Sequence, residues 1–233
     1  MSSDHPPPVA PSWDYAVVRE RLTAERLGPY LSAADQDLGA AFRLYEWNIA
    51  AAASVLATIA MTEVVVRNAM DTELRRWAVA RRGGRSWLDA APLDTQGRDD
   101  VSAARRYAHR TNRTGGPVPH GKVVAELNLG FWRYLAASRY LTDLWIPALH
   151  GAFPAGPAQH RRRRAAVEDR LQRLLTVRNR AAHHEPIFRR DLHRDLTSAI
   201  EVVTWICPDS AAWIEARSTV NTVMDDKPPL SPL

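Results

Sequence analysis

Apolar residues recur along this chain at intervals of three and four, and no stretch keeps the two-residue alternation of a half-buried strand. The spacing predicts an all-α fold. A first helix is expected from a Ser12 cap to residue 27, where Gly28 and Pro29 break it. A long helix follows over 34–80, with Leu38, Phe42, Tyr45, Ile49, Leu56 and Ile59 on its apolar stripe and "RRGG" as its stop. Residues 99–110 predict another helix, "TNRTGGPVP" a loop, and "GKVVAELNLGFWRYLAAS" and "LTDLWIPALHGAF" short aromatic-rich helices packed on the long ones. Helices over 159–184 and 191–205 come next, then one or two turns within 208–217. With neither repeat nor linker, the expected organisation is a disordered Pro-rich arm (1–12), one helical domain (13–217) and a disordered tail (218–233).

Composition narrows the picture. Cys207 is the only cysteine, so no intramolecular disulfide forms and a reducing compartment is favoured. The start lacks the features of a secretory signal, and the most apolar run, "IAAAASVLATIAM" (49–61), falls short of the roughly 20 residues that span a bilayer. The expectation is a cytoplasmic protein with no membrane partner. Formal net charge is +5, which suits a phosphate-rich partner, although only Lys122 and Lys227 of the 31 basic residues are lysines, the lopsided usage a GC-rich genome also produces.

"TVRNRAAHHEPIF" (176–188) holds the chemistry. Pro186 disfavours helical geometry at Glu185, so the helix is expected to end there with His183 and His184 in its last turn, where carbonyl partial charge favours the imidazolium. Asn179 and His183 lie about 40° apart around a helix, Asn179 and His184 about 140°, so His183 is the better partner. Arg178 supplies a planar fork for a phosphodiester, His183 a proton donor or acceptor, and Asn179 an orienting amide. That trio suffices for RNA cleavage without a metal, because the ribose 2'-hydroxyl is the nucleophile. A solvated helix end is the competing account of the same residues.

Other residues bear on the same chemistry. Glu63, Arg67 and Asn68 place charge within an apolar stretch; an i,i+4 pair explains the spacing of the first two, and a polar cleft near Arg178 explains their presence. Arg161, Arg162, Arg163 and Arg164 open the motif helix against its dipole, as an RNA track or a solvated run. Arg105, Arg106, His109, Arg110 and Arg113 form a second basic strip. Trp47, Trp132, Tyr134 and Trp145 fit packing better than base stacking. His109, His120, His150 and His193 have no metal-binding spacing, and neither metal nor cofactor is expected.

Together with "LYEWN" (44–48), "TEVVVRNAM" (62–70) and "LGFWRYL" (129–135), the motif resembles the Abi-like family of bacterial abortive-infection proteins over residues 27–205. That family resembles a branch of the HEPN superfamily, with its antiparallel helical bundle and R-x4-6-H motif; Arg178, Asn179 and His183 match it, and His184 fits as R-x5-H. The resemblance implies a HEPN-like bundle with additional short helices. It implies a metal-independent endoribonuclease of toxin or antiphage type, a homodimer with facing motifs, and an antitoxin or regulatory partner. The alternative is a non-catalytic HEPN-like module that binds RNA or a partner protein.

Overall fold

The computed structural model describes residues 13–113 and 115–230, so the Ser12 cap and the arm over 1–12 lie outside the described residues. Among these residues the chain is all-α, without strands. The helices are α1 (Tyr15–Leu22), α2 (Ala24–Ala33), α3 (Leu38–Arg81), α4 (Trp87–Ala90), α5 (Thr95–Arg110), α6 (His120–Ala125) and α7 (Leu129–Leu135). After 3-10 and π turns across 138–152 come α8 (His160–Ala182), α9 (Leu192–Thr204), α10 (Pro208–Arg217) and α11 (Val220–Asp225).

The 44-residue α3 is the spine. Asp37 starts it by accepting the Ala40 amide at 2.6 Å, and Gly83 and Gly84, both at positive φ, follow its end. It packs on α8 and α9, which pack on each other, and these three helices hold the core. Ala52 shares a groove with Ala181, and Ile59 shares another with Leu174, so α3 and α8 run antiparallel. Of the expected stripe, Phe42 and Ile59 are buried, whereas Ile49 is 51% exposed. The stripe is rotated because a second set, including Ala51, Val55, Thr62, Val66 and Met70, faces the core. By length and composition alone α3 could cross a membrane, but 44% of its apolar window is buried inside the protein, as in a core helix with one uncovered side.

Three expectations need correction. The first break falls at Thr23 (φ 65°) and Asp14 caps α1, while α2 runs straight through Gly28 and Pro29. An interior proline costs about 3 kcal/mol. Burying Leu27, Tyr30 and Leu31 offsets it at roughly 1.5–3 kcal/mol each. The tail is ordered through Leu230: Trp47 Nε1 donates to the Val223 carbonyl at 2.7 Å, and Ser54 and Thr58 of α3 bond Thr219 and Ser218. Third, α8 stops at Ala182, before either histidine.

The aromatic residues behave as packing. Trp132 and Trp145 are fully buried and Trp47 nearly so. Tyr134 is half-buried, its phenol donating to Asp94, the cap of α5, which is held well below the usual carboxylate range chiefly by that bond.

Candidate functional site

Residues after Ala182 close α8 with a Schellman turn: the Glu185 amide donates to the Arg180 carbonyl at 2.8 Å and the His184 amide to the Ala181 carbonyl at 3.1 Å. That turn requires a left-handed residue, here His184 at φ 57°, where a non-glycine is disfavoured by about 1–2 kcal/mol. Its surroundings hold it there. Arg26 donates to the His184 carbonyl, Arg180 to that of Pro186 at 2.9 Å, and the Ile187 amide to buried Asn48 Oδ1 at 2.7 Å. Asn48 and Arg26 are parts of the site that the motif spacing does not reveal. Asn48 is the polar end of "LYEWN" and is itself buried on the core face of α3.

The clamped turn fixes what precedes it. His183 is the exposed cap residue of α8, its amide bonded to the Asn179 carbonyl at 3.0 Å. Asn179 Oδ1 accepts from Arg178 Nη1 at 3.2 Å, so among the described residues the Asn179 side chain engages the guanidinium and neither imidazole. His184 lines a groove of about 180 Å3 with Tyr45, Ile49, Ala53 and Leu56 of α3.

Glu63 and Arg67 reach this place from α3. Burial pushes the Glu63 carboxyl above its usual range; the Arg178 guanidinium, then Arg67 and the Leu129 amide, pull it back. The spine, the start of α7 and the motif helix thus all act on one half-buried carboxylate, yet among the described residues Glu63 forms no ion pair with Arg178 or with Arg67, so the i,i+4 pair that the spacing suggested is not made. Arg67 Nε is buried and, among the described residues, finds no acceptor, a costly arrangement. Asn68 is exposed, Thr72 Oγ1 donates to its carbonyl at 2.8 Å, and among the described residues its side-chain amide makes no hydrogen bond.

The far end of α8 differs. Arg163 is buried and donates to the carbonyls of Pro157 (2.8 Å), His150 (3.2 Å) and Gly156 (3.3 Å), so it is structural and unavailable to RNA. Arg164 bonds the Ala136 carbonyl at 2.6 Å and pairs with Glu168. The four-arginine track therefore shrinks to the exposed Arg161 and Arg162. Among the described residues no cluster of three metal-ligating side chains forms.

Compared with known proteins, the chain matches no family model, no curated protein and no solved structure.

Proposed function

We propose that this protein is a HEPN-like, Abi-like endoribonuclease of the cytoplasm that cleaves RNA without a metal. The observation that carries this reading is the Arg178–Asn179 pair at the close of α8, with exposed His183 as the cap residue and the half-buried Glu63 carboxyl within electrostatic reach of the Arg178 guanidinium. In this reading the substrate's 2'-hydroxyl attacks the adjacent phosphorus, its proton leaves to a base, and the 5'-oxygen departs with a proton from an acid. The products are a 2',3'-cyclic phosphate and a 5'-hydroxyl. His183 moves a proton, Arg178 holds the charge that grows on the phosphoryl oxygens, and Asn179 and ionised Glu63 orient that guanidinium.

A homodimer supplies the second proton-transfer group. Ile49, Ala53, Ala57, Ala60 and Val64 lie exposed along one face of α3, adjoining the His184 groove and leading to Glu63 and Arg67. An isologous contact there buries apolar surface and brings two motifs toward each other. An antitoxin-like protein covering the site is the regulatory partner this activity calls for.

The test incubates purified protein and total RNA in EDTA. Fragments ending in 2',3'-cyclic phosphate, lost in His183→Ala, support the enzyme. Binding without cleavage assigns the chain to the non-catalytic alternative.

A further inference from the structure

One side of α5 forms, with the α6–α7 connection, an open groove of about 390 Å3. That size lies within the roughly 300–1,000 Å3 typical of small-ligand sites, enough for a nucleotide. Its walls include Asp100, Arg106, Tyr107 and Arg110 on one side, with Asp100 accepting from Gln96 at 2.9 Å, and Glu126 and Asn128 on the other. Tyr107 is 49% exposed, with the Arg110 guanidinium 5.5 Å from its ring centre. Neighbouring cations on α5 are committed: Arg105 pairs with Asp89 at 2.6 Å and Arg98 bonds the Leu93 carbonyl. Arg106 and Arg110, by contrast, make no ion pair among the described residues, and Glu126 neither ion pair nor side-chain hydrogen bond. The groove also leads somewhere. Asn128 caps α7, and the next amide, that of Leu129, is among the groups that favour the ionised Glu63 carboxyl, as Arg178 is.

We propose that this groove is the subsite for one unpaired nucleotide of an RNA strand, flanking the phosphate at Arg178, with its base stacked on Tyr107 and its own phosphate held by Arg106 and Arg110. Stacking on an exposed aromatic ring accepts any base, whereas a carboxylate accepts hydrogen bonds only from donors. Glu126 therefore favours adenine, guanine or cytosine, which carry an exocyclic amino group, over uracil, whose one donor, N3–H, lies between two carbonyl oxygens that repel a carboxylate. The proposal rests on the ribonuclease reading above for its substrate.

Its test uses 2'-O-methyl octanucleotides, which lack the attacking hydroxyl and stay intact, carrying one 2-aminopurine whose fluorescence is quenched on stacking. Wild-type protein and Tyr107→Phe are expected to bind and quench. Tyr107→Leu is expected to lose the quench and bind at least about fivefold more weakly, from the usual worth of one stacked base. Oligoadenylate is expected to outbind oligouridylate, and Glu126→Gln to level the two. If Tyr107→Leu binds and quenches like wild type while wild type cleaves ordinary RNA, the groove assignment falls and the ribonuclease reading stands. If wild type neither binds nor cleaves RNA, both fall. A preference for adenylate unchanged in Glu126→Gln overturns the base recognition.

Discussion

The two ends of α8 are made of similar residues and put to opposite uses. "HRRRR" at its start and "RNRAAHH" at its close are both rich in Arg and His. At the start, Arg163 bonds three backbone carbonyls and Arg164 a fourth. At the close, among the described residues, Arg178 donates only to its neighbour Asn179 and acts at a distance on a carboxyl pushed toward its protonated form, and the carbonyls are satisfied instead by a Schellman turn. Arginine at a helix end is structural when it faces carbonyls of an irregular segment. It is free for chemistry when backbone amides satisfy those carbonyls.

Exchanging the roles should fail most visibly at the closing end. Arg178→Ala and His183→Ala are expected to lower the single-turnover cleavage rate by at least about 10²-fold each, as loss of a charge-stabilising or proton-transfer group does. Both side chains lie outside the core, so the thermal midpoint should stay near wild type. A well-folded His183→Ala protein with full activity would sink the assignment.

Arg163→Ala should do the reverse, slowing nothing at saturating RNA but weakening the fold. It strips three carbonyls of a charged donor, and a buried unsatisfied polar group costs about 1–3 kcal/mol. At 2–4 °C per kcal/mol for a chain this long, a midpoint drop of several degrees by calorimetry is the expected order of magnitude. An unchanged midpoint would contradict a structural role.

Glu63 ties the closing end to pH. Its carboxyl binds protons more tightly folded than unfolded, so stability falls as pH rises through the range between the ordinary and the raised value. Glu63→Gln should therefore raise the thermal midpoint at neutral pH while reducing cleavage. Where ionised Glu63 orients Arg178, activity falls as pH drops through the raised value, and Arg67→Met, which removes a cation favouring ionisation, moves that acid limb upward. An acid limb that stays in place in Arg67→Met would show that Glu63 does not set it.

How much of this was legible depends on the range of the interactions involved. The all-helical class and the course and end of α3 were readable, because the 3.6-residue pattern and the "RRGG" stop are local, whereas the Asp37 cap lies three residues past the expected start at 34. The R-N-x3-H trio was readable as residue types. Glu63 and Arg67 stood out as charges among apolar neighbours, and the fold puts Glu63 within electrostatic reach of both Arg67 and Arg178. Pro29 misled because local propensity yields to burial of Leu27, Tyr30 and Leu31. The Pro-rich tail misled because its order comes from Trp47, Ser54 and Thr58, more than 150 positions away. No spacing within "HRRRR" singles out Arg163. Only the path of residues 150–157 puts three carbonyls within its reach.

The smallest expected effect is at the two arginines of the starting end that remain uncommitted. Arg161 and Arg162 are exposed, and a cation that contacts single-stranded RNA contributes a logarithmic salt slope of about −0.7 per phosphate neutralised. The double change Arg161→Gln and Arg162→Gln should thus flatten the salt dependence of RNA binding by at most about 1.4, lower affinity chiefly at low salt, and leave the saturating cleavage rate unchanged. Because neither side chain is buried, the thermal midpoint should not move, which separates this variant from Arg163→Ala one residue further on. Binding isotherms at four or five salt concentrations measure the slope directly. A slope identical to wild type would mean that the start of α8 never meets RNA, and that Arg161 and Arg162 are only a solvated helix face beside the structural Arg163 and Arg164.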